Sequence, residues 1–226
     1  MSLDLYARAE HLLGIEESTA FLHDSYAQTI AAYEPKTVLD IGCGRGGLMK
    51  LLQAEGISVK GIDLSGVMVN EAKADGLDVE LKDICEVDGE FDAVVAVFDV
   101  LNFMDSETLE KFLGCVANVL KPDGLFIADI NTLHGFANVA EGTMNAEDDT
   151  HFLSVDAVYS ESELRTIFTL FTEKENGLFE KEQSMITQYF HPLKFFRKKR
   201  VLKLIKNENI SLYDTNDKTL LVFKKV

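Results

Sequence analysis

The residues with the clearest chemical signature form a glycine-rich turn between an apolar run and an amphipathic run. The apolar run 38–41 is typical of a buried parallel strand, and leucines recur at helical spacing over 48–52. The turn between them carries Gly42, Gly44 and Gly46. Glycine lacks a Cβ, so such a turn bends sharply and lets a ligand approach the main chain closely. The pattern predicts a nucleotide-like ligand at this turn.

An acidic residue follows at the end of a second apolar run. Asp63 comes about twenty residues after Gly42 and closes the run 59–62. A carboxylate there can accept hydrogen bonds from both hydroxyls of a ribose. Because Gly42, Gly44 and Gly47 also fit the spacing of a dinucleotide fingerprint, the turn alone leaves NAD and S-adenosylmethionine both open.

Composition limits the class of protein. The 226 residues, 46% of them hydrophobic, can form one α/β domain with a modest insertion. No apolar run approaches the roughly 20 residues that span a bilayer, so we expect a cytoplasmic protein without membrane contact. The net charge of −16 makes a nucleic-acid partner unlikely, since such partners normally meet clustered Lys and Arg. One basic cluster, Lys194 with 197–200, is interpreted as a solvated helix face.

The cysteines predict neither a disulfide framework nor a metal site. Cys43, Cys85 and Cys115 are scattered and lack the paired spacing of zinc ligands. We therefore expect three reduced, buried thiols and no bound metal.

The apolar pattern alternates between strand and helix periods along the first part of the chain. After an N-terminal helix, it predicts strands over 37–41, 58–62, 77–81, 91–98 and 125–130. The intervening helices are predicted over 46–55, 66–75 and 107–120. Such alternation indicates crossover units and an α/β, doubly wound sheet, in which the carboxyl ends of the strands share one crevice.

The segment 133–190 has a different character. It contains three stretches rich in β-forming residues, 152–159, 164–172 and 178–190. Glu-Asn-Gly at 175–177 is a hairpin turn signal. We interpret the segment as an antiparallel β insertion after the fifth strand, covering the crevice.

The last part of the chain is predicted to add one helix and two strands. The helix would run from Pro192 to about residue 206, and the strands would cover 210–213 and 219–223. A short polar turn at 214–217 joins the two strands.

Five segments together resemble class I S-adenosylmethionine-dependent methyltransferases of the small-molecule type. They are VLDIGCGRGG, VKGIDLSGVMVNEA, the Asp83-Ile84 pair, FDAVVAVFDVLNFM and LKPDGLFIADIN. The resemblance implies a Rossmann-like sheet, mostly parallel, with an antiparallel strand hairpin at the C terminus. An NAD-dependent oxidoreductase would explain the glycines and Asp63 but not the order of the later segments.

The resemblance also implies a division of the chain. Residues 1–132 and 191–226 would form the cofactor domain, with an N-terminal helical lid at about 4–33. Residues 133–190 would form an inserted β-rich subdomain for the acceptor. A monomer or a homodimer is expected.

A set of cofactor contacts follows from the resemblance. The residues implied to bind S-adenosylmethionine, with S-adenosylhomocysteine as the product, are Asp40, Gly42, Cys43, Gly44, Gly46, Asp63, Leu64, Met68, Asp83, Ile84, Phe98 and Asp99. Asp63 would hold the ribose hydroxyls, and Asp83 would accept from the adenine amino group. Helix packing is the alternative explanation for Met68, and turn capping is the alternative for Asp83.

Candidates for the acceptor side follow the fourth and fifth strands and the insertion. Asn102, His134 and His191 are predicted to position the acceptor, and Asn131 and Tyr159 to bind it. A structural role is the alternative for each histidine.

The expected reaction is in-line methyl transfer from a sulfonium to an N or O atom of a small molecule. It mainly requires alignment of the acceptor with the methyl group and exclusion of water. An amine needs only to arrive deprotonated, whereas a hydroxyl benefits from a general base, so the sequence leaves the base open. Enzymes that methylate base amines often carry Asn or Asp, two prolines and an aromatic residue after the fourth strand. This chain has Phe-Asp-Val-Leu-Asn at 98–102.

Three other functions stay open. An RNA (tRNA) methyltransferase would use the basic residues within 194–200. An NAD-dependent oxidoreductase would use the same glycine turn. A non-catalytic cofactor-binding protein would retain the crevice without turnover.

Overall fold

Eleven strands are present in the computed structural model, which describes residues 2–198 and 201–226. The strands are β1 (Thr37–Ile41), β2 (Ser58–Asp63), β3 (Val79–Leu81), β4 (Phe91–Ala96), β5 (Leu120–Asn131), β6 (Gly142–Glu147), β7 (His151–Ser160), β8 (Glu163–Glu173), β9 (Phe179–Tyr189), β10 (Leu202–Ile210) and β11 (Lys218–Lys225). The helices are α1 (Ser2–Ala9), α2 (Glu16–Ala31), α3 (Gly47–Ala54), α4 (Gly66–Ala74), α5 (Ser106–Val119) and α6 (Leu193–Phe196).

Seven of the strands form one sheet in the order β10-β11-β5-β4-β1-β2-β3. The five strands β1 to β5 are parallel to one another, and β11 pairs antiparallel with both β5 and β10. The strand order reverses direction between β1 and β4, so loops on either side diverge and leave a crevice at the carboxyl ends. The predicted α/β class and Rossmann-like sheet with a C-terminal antiparallel hairpin are confirmed.

Helices bury both faces of this sheet. On one face α5 packs with Phe126, Phe196 and Phe223, and on the other α2 and α3 pack with Val38, Val95 and Ile127. Hence β1, β4 and β5 are apolar on both sides. Among the described residues, no helix has the length and apolar character needed to cross a bilayer.

A second sheet has the antiparallel order β6-β7-β8-β9. Its inner face, including Leu153, Val155 and Phe168, packs against Leu5 and Leu12 from the N-terminal segment. Four strands occur where three were predicted, because β6 pairs with β7 along its whole length although its sequence does not alternate. Sequence periodicity therefore missed a strand that only cross-strand pairing defines.

The predicted C-terminal helix is wrong beyond its first turn. Helix α6 ends at Phe196, and β10 begins at Leu202. Leu202 and Leu204 pair with β11 and bury apolar surface against the sheet, which overrides the helical pattern. Of the predicted basic cluster, Lys194, Arg197 and Lys198 are exposed, whereas residues 199 and 200 lie outside the described residues.

The prediction of three reduced cysteines is also wrong. Cys85 and Cys115 form a disulfide between the turn after β3 and helix α5. Only Cys43 is free among the described residues, and it is buried. The two paired cysteines are distant in sequence, and the packing of the turn on α5 brings them together, so their spacing carries no signal.

The chain leaves β5 through a tight junction against the turn that precedes β11. Thr132 donates from its backbone N–H to the Asp217 carbonyl at 2.8 Å, and its hydroxyl also contacts that carbonyl at 3.1 Å. Gly135 follows, and a Cβ on this residue would lie 2.3 Å from the same carbonyl oxygen. Glycine is therefore required here by close approach of two backbones.

We expect Gly135→Ala to destabilise the fold by about 1–3 kcal/mol, because the Asp217 backbone must move away from the added methyl group. The matched control is Gly114→Ala in α5, where no atom of the described residues lies within 4 Å of the added Cβ. That change should stabilise the protein by about 0.5–1 kcal/mol through helix propensity. Denaturant unfolding of both variants measures the two changes in the free energy of unfolding, which should have opposite signs. Equal midpoints would contradict the close approach of the two backbones at Gly135.

Candidate functional site

The glycine turn lies at the carboxyl end of β1, where it meets β2. The backbone N–H groups of Gly42 and Cys43 donate to the Ile62 carbonyl, at 2.8 and 3.1 Å. Gly42, Gly44 and Gly46 have φ values of +69°, +54° and +75°. Side chains other than glycine rarely adopt these left-handed values, so the residue types follow from the path of the turn.

Space beside the turn is open at one glycine and filled at the other two. A Cβ on Gly42 would lie 2.8 Å from Val100, and a Cβ on Gly46 would lie 2.1 Å from Leu77. A Cβ on Gly44 would meet no atom of the described residues within 4 Å. Gly44 therefore borders the crevice, and this is where a ligand could approach the main chain.

Asp63 fixes the geometry of the turn. Its carboxylate accepts from the backbone N–H of Gly44 at 2.9 Å and from that of Ser65 at 2.7 Å, one bond to each oxygen. The side chain is only partly buried. Each carboxylate oxygen has a second acceptor site, so Asp63 can still receive hydroxyl groups. The structure thus gives the predicted ribose ligand a second task that spacing did not reveal.

Asp40 is the most unusual group in the crevice. It is 1% exposed, and neither carboxylate oxygen has a hydrogen-bond partner among residues 2–198 and 201–226. Burial, with a further contribution from the charge on Asp63, raises the pKa of Asp40 to about 8. A buried acid without partners costs stability unless a ligand supplies donors. This arrangement fits the positively charged amino group of a methionine moiety.

The predicted adenine contacts differ in their environments. Leu64 is 50% exposed although apolar, as expected of a side chain that could cover a planar ring. Met68 is buried in α4, where its backbone N–H donates to the Ser65 hydroxyl at 3.4 Å, so helix packing explains it. Asp83 accepts from the Cys85 backbone N–H at 2.8 Å and caps a short turn that contains the buried Ile84. Turn capping is thus one role of Asp83.

A buried ion cluster lies beyond the ends of β4 and β5. The Lys218 ammonium contacts the Asp99 carboxylate, the Asp129 carboxylate at 3.2 Å and the Asn131 side-chain oxygen at 2.9 Å. Burial opposes the charge on Lys218, but the two carboxylates outweigh burial and raise its pKa. Asp129 also accepts from the backbone N–H groups of Phe98 and Asp99, at 2.7 and 3.0 Å.

These bonds hold an unusual backbone beside the crevice. Phe98 and Asp99 have φ values of +65° and +54°, which residues other than glycine seldom adopt. The Lys218 ammonium also lies 5.1 Å from the centre of the Phe98 ring. Sequence analysis singled out Phe98 and Asp99 but missed Asp129 and Lys218. A charged residue within the apolar run of β5 was the available signal for Asp129.

The second sheet is fastened to this cluster through β9. The Gln188 amide donates to Asp99 at 2.6 Å, and the Asn102 amide donates to the Tyr189 carbonyl at 2.8 Å. The Asn102 oxygen accepts from the backbone N–H of Asn131 at 2.9 Å. Asn102 is fully buried, and both ends of its amide are used in these contacts. Asn102 therefore joins three segments, and its role in positioning the acceptor stays a prediction.

Both predicted histidines contact other residues of the chain. His134 is partly exposed and pairs with Asp214 at 2.9 Å. His191 is 2% exposed and contacts the Met104 carbonyl at 2.8 Å, with its ring against Phe195. Burial lowers the pKa of His191. Both make the structural contacts that were the alternative, and their role in positioning the acceptor stays a prediction.

The two predicted acceptor-binding residues lie in different surroundings. Asn131 ends β5 and receives the Lys218 ammonium on its side-chain oxygen. Tyr159, in β7, stacks on Phe136 with ring centres 5.6 Å apart. The first residue thus belongs to the ion cluster, and the second to a small apolar cluster beneath the second sheet.

The N-terminal helix α1 lies against the glycine turn. Arg45, within the turn, donates to the Ala7 carbonyl at 2.8 Å and forms ion pairs with Glu10 and Glu71. The Ser65 hydroxyl donates to Asp4 at 2.8 Å. On its other side α1 contacts β8 and β9. The helix therefore bridges the crevice and the second sheet.

Sequence comparison finds similarity between this chain and known methyltransferases. A family described as a methyltransferase domain matches residues 38–124. The putative methyltransferase YqeM of Bacillus subtilis is 32% identical over 139 residues, a match that covers 56% of this chain and 56% of that protein. The aligned part thus spans little more than half of the relative's length.

Solved structures share the whole fold. The S-adenosylmethionine-dependent methyltransferase from Clostridium acetobutylicum aligns with a TM-score of 0.79 at 19% identity, covering 98% of this chain and 99% of its own. S-adenosylmethionine-bound CalS10, an amino pentose methyltransferase from Micromonospora echinaspora, aligns at 0.71 and 16% identity, covering 98% and 97%. These matches show that residues 38–124 are similar to a methyltransferase domain and that the whole chain has the fold of S-adenosylmethionine-dependent methyltransferases, with the same strand order around the glycine turn.

Proposed function

We propose that the protein binds S-adenosylmethionine in the crevice and transfers its methyl group to an N or O atom of a small molecule. The observation that carries the proposal is Asp40, a buried carboxyl without a hydrogen-bond partner among the described residues, together with the open space beside Gly44. An amino group with a positive charge satisfies such a carboxyl, and the methionine part of the cofactor has one.

Each part of the crevice has a separate task in this proposal. The backbone at Gly44 lets the methionine part approach, Asp40 binds its amino group, and Asp63 binds the ribose hydroxyls. Leu64 covers the adenine ring. The bound cofactor supplies a methyl group on a positively charged sulfur. The protein's own contribution is then to hold the acceptor in line and to exclude water.

Electrostatics favours an acceptor that carries a basic nitrogen. Around the crevice the carboxylates Asp63, Asp99, Asp129, Glu10 and Glu71 outnumber the cations Arg45 and Lys218. The amino pentose methyltransferase CalS10, which shares the fold, has an acceptor of this class by name. A basic amine must lose a proton before attack, and the buried cluster offers no free histidine for this purpose. The amine would therefore be attracted to the crevice as a cation and would lose its proton to water before the attack.

Acceptor contacts would come from both sides of the crevice. Phe98 and Asp99, held in place by Asp129, form one wall. Gln188 of β9 forms the other and is oriented by Asp99. Asn131 stays a proposed acceptor ligand through its amide nitrogen, and Tyr159 a proposed wall of the pocket. Helix α1 and the second sheet would keep water out of this region.

Ligand-dependent unfolding tests the cofactor. S-adenosylmethionine and S-adenosylhomocysteine, each at about 100 times the dissociation constant, should raise Tm by about 5–10 °C. NAD at equal concentration is the control and should leave Tm unchanged. A shift with NAD alone would contradict the proposal.

Turnover tests the acceptor class with matched pairs of amino and hydroxy sugars, measured as formation of S-adenosylhomocysteine. We expect product with the amino member of a pair. Product with the hydroxy member alone would assign an O acceptor and overturn the preference for nitrogen. Cofactor binding without turnover on either would favour a non-catalytic binding protein.

Substitution of Gly44 tests the open side of the turn. Gly44→Val should abolish binding of S-adenosylhomocysteine, because its side chain occupies the space beside the turn. Gly56→Val is the matched control, since Gly56 also has a left-handed φ, +80°, and open space but lies after α3. Both changes should cost roughly 1–2 kcal/mol of backbone strain. Calorimetry should show unchanged binding in the control, and binding retained by Gly44→Val would exclude this location.

The charge of Asp40 gives binding a characteristic pH dependence. Because the pKa of Asp40 is raised to about 8, the carboxyl is protonated at neutral pH and must ionise to pair with an amino group. Affinity for S-adenosylhomocysteine should therefore rise between about pH 6 and 7.5, by up to about tenfold per pH unit. Asp40→Asn should flatten this rise. Measuring the affinity of both proteins over the same pH range separates the contribution of Asp40 from that of ionisation of the ligand. Parallel profiles would contradict the assignment.

Asp40 also affects the stability of the unliganded fold, with the opposite trend. A carboxyl whose folded pKa lies above its unfolded value contributes stability at low pH, which is lost as pH rises from about 4 to 8. The free energy of unfolding of the wild type should fall more steeply over this range than that of Asp40→Asn.

A further inference from the structure

Two histidines and an aspartate converge outside the crevice. His11 lies on the turn after α1, whereas Asp148 and His151 lie on the β6–β7 turn. His11 Nε2 is 3.0 Å from Asp148 Oδ2, and His151 Nδ1 is 3.1 Å from Asp148 Oδ1. One ligand atom from each of the three residues lies within 4.8 Å of the other two. The cluster thus joins two segments that are far apart in the chain.

The spacing is compatible with a metal ion bound by all three residues. Nitrogen and oxygen ligands of zinc lie about 2.0–2.2 Å from the metal, so tetrahedral neighbours are roughly 3.3 Å apart. Both measured separations are close to this value, and both imidazoles meet the same carboxylate. Two neutral imidazoles and one carboxylate form a donor set that suits zinc, nickel or cobalt.

The carboxylate is already oriented for this purpose. Asp148 Oδ1 accepts from the backbone N–H groups of Thr150 and His151, at 2.7 and 2.8 Å. Glu147 and Asp149 flank Asp148 and add negative charge. Partial exposure of the three side chains leaves further coordination positions to water.

We propose that His11, Asp148 and His151 bind a divalent transition-metal ion, with zinc as the closest fit, and that this ion fastens the α1 segment to the second sheet. The site does not depend on the proposed function. Its structural effect would add to that of the Arg8–Glu182 ion pair at 2.7 Å, which joins α1 to β9. Because Arg45 of the glycine turn also contacts α1, the ion would hold α1 in place beside the crevice.

Titration of the untagged, full-length protein with Zn²⁺ tests the site, with Co²⁺ absorption as the probe of coordination. We expect one ion per chain. The H11Q variant should bind it at least about ten times more weakly than the wild type. His11 is the best position to change, because Asp148 also orders its own turn. H134Q is the matched control, since His134 forms an exposed pair with the single carboxylate of Asp214.

Hydrogen exchange supplies a readout independent of affinity. Saturating Zn²⁺ should slow exchange in residues 3–13 of the wild type and of H134Q at least severalfold, but not in H11Q. Absence of binding at 1:1 stoichiometry below about 1 mM would overturn the proposal. Equal Zn²⁺ affinity of H11Q and the wild type would assign the ion to scattered surface carboxylates and would also overturn the proposal. The same would follow if H134Q lost as much Zn²⁺ affinity as H11Q.

Discussion

The structure depends on the pairing of Lys218 with Asp99 and Asp129 in a place that water does not reach. The side chains of Lys218 and Asp129 are 2% and 0% exposed. Removing such charges from water costs several kcal/mol per ion unless each is paired and hydrogen-bonded. Here that requirement ties the start of β11 to the end of β5 and to the segment after β4. The left-handed backbone at Phe98 and Asp99 persists because these bonds determine it.

The same cluster determines how the second sheet meets the main one. Gln188 contacts Asp99, and Asn102 connects β9 with β5, so the inserted strands cannot move far without breaking buried hydrogen bonds. On the opposite side α1 contacts both the glycine turn and the second sheet. The second sheet and α1 are thus each held by contacts with two other parts of the chain.

Asp40 and Asp129 illustrate two different uses of a buried carboxyl. Asp129 has its partners within the chain and serves the fold. Asp40 has none among the described residues, so the folded chain tolerates it mainly by keeping it protonated. An unpaired group of this kind in a crevice indicates a ligand, because the free energy that it costs can be recovered only on binding.

Local chemistry in the sequence was sufficient for the glycine turn, for Asp63 and for the alternation of strands and helices from β1 to β5, since each depends on neighbouring residues. The extended C-terminal helix was misjudged because pairing with the distant strand β11 decides its conformation. The contacts of Asn102, His134 and His191 also come from distant segments. The Cys85–Cys115 disulfide, the Lys218 cluster and the convergence of His11 with His151 were decided only by the tertiary structure. Residues far apart in the chain meet through packing, and periodicity within one segment contains no information about that contact.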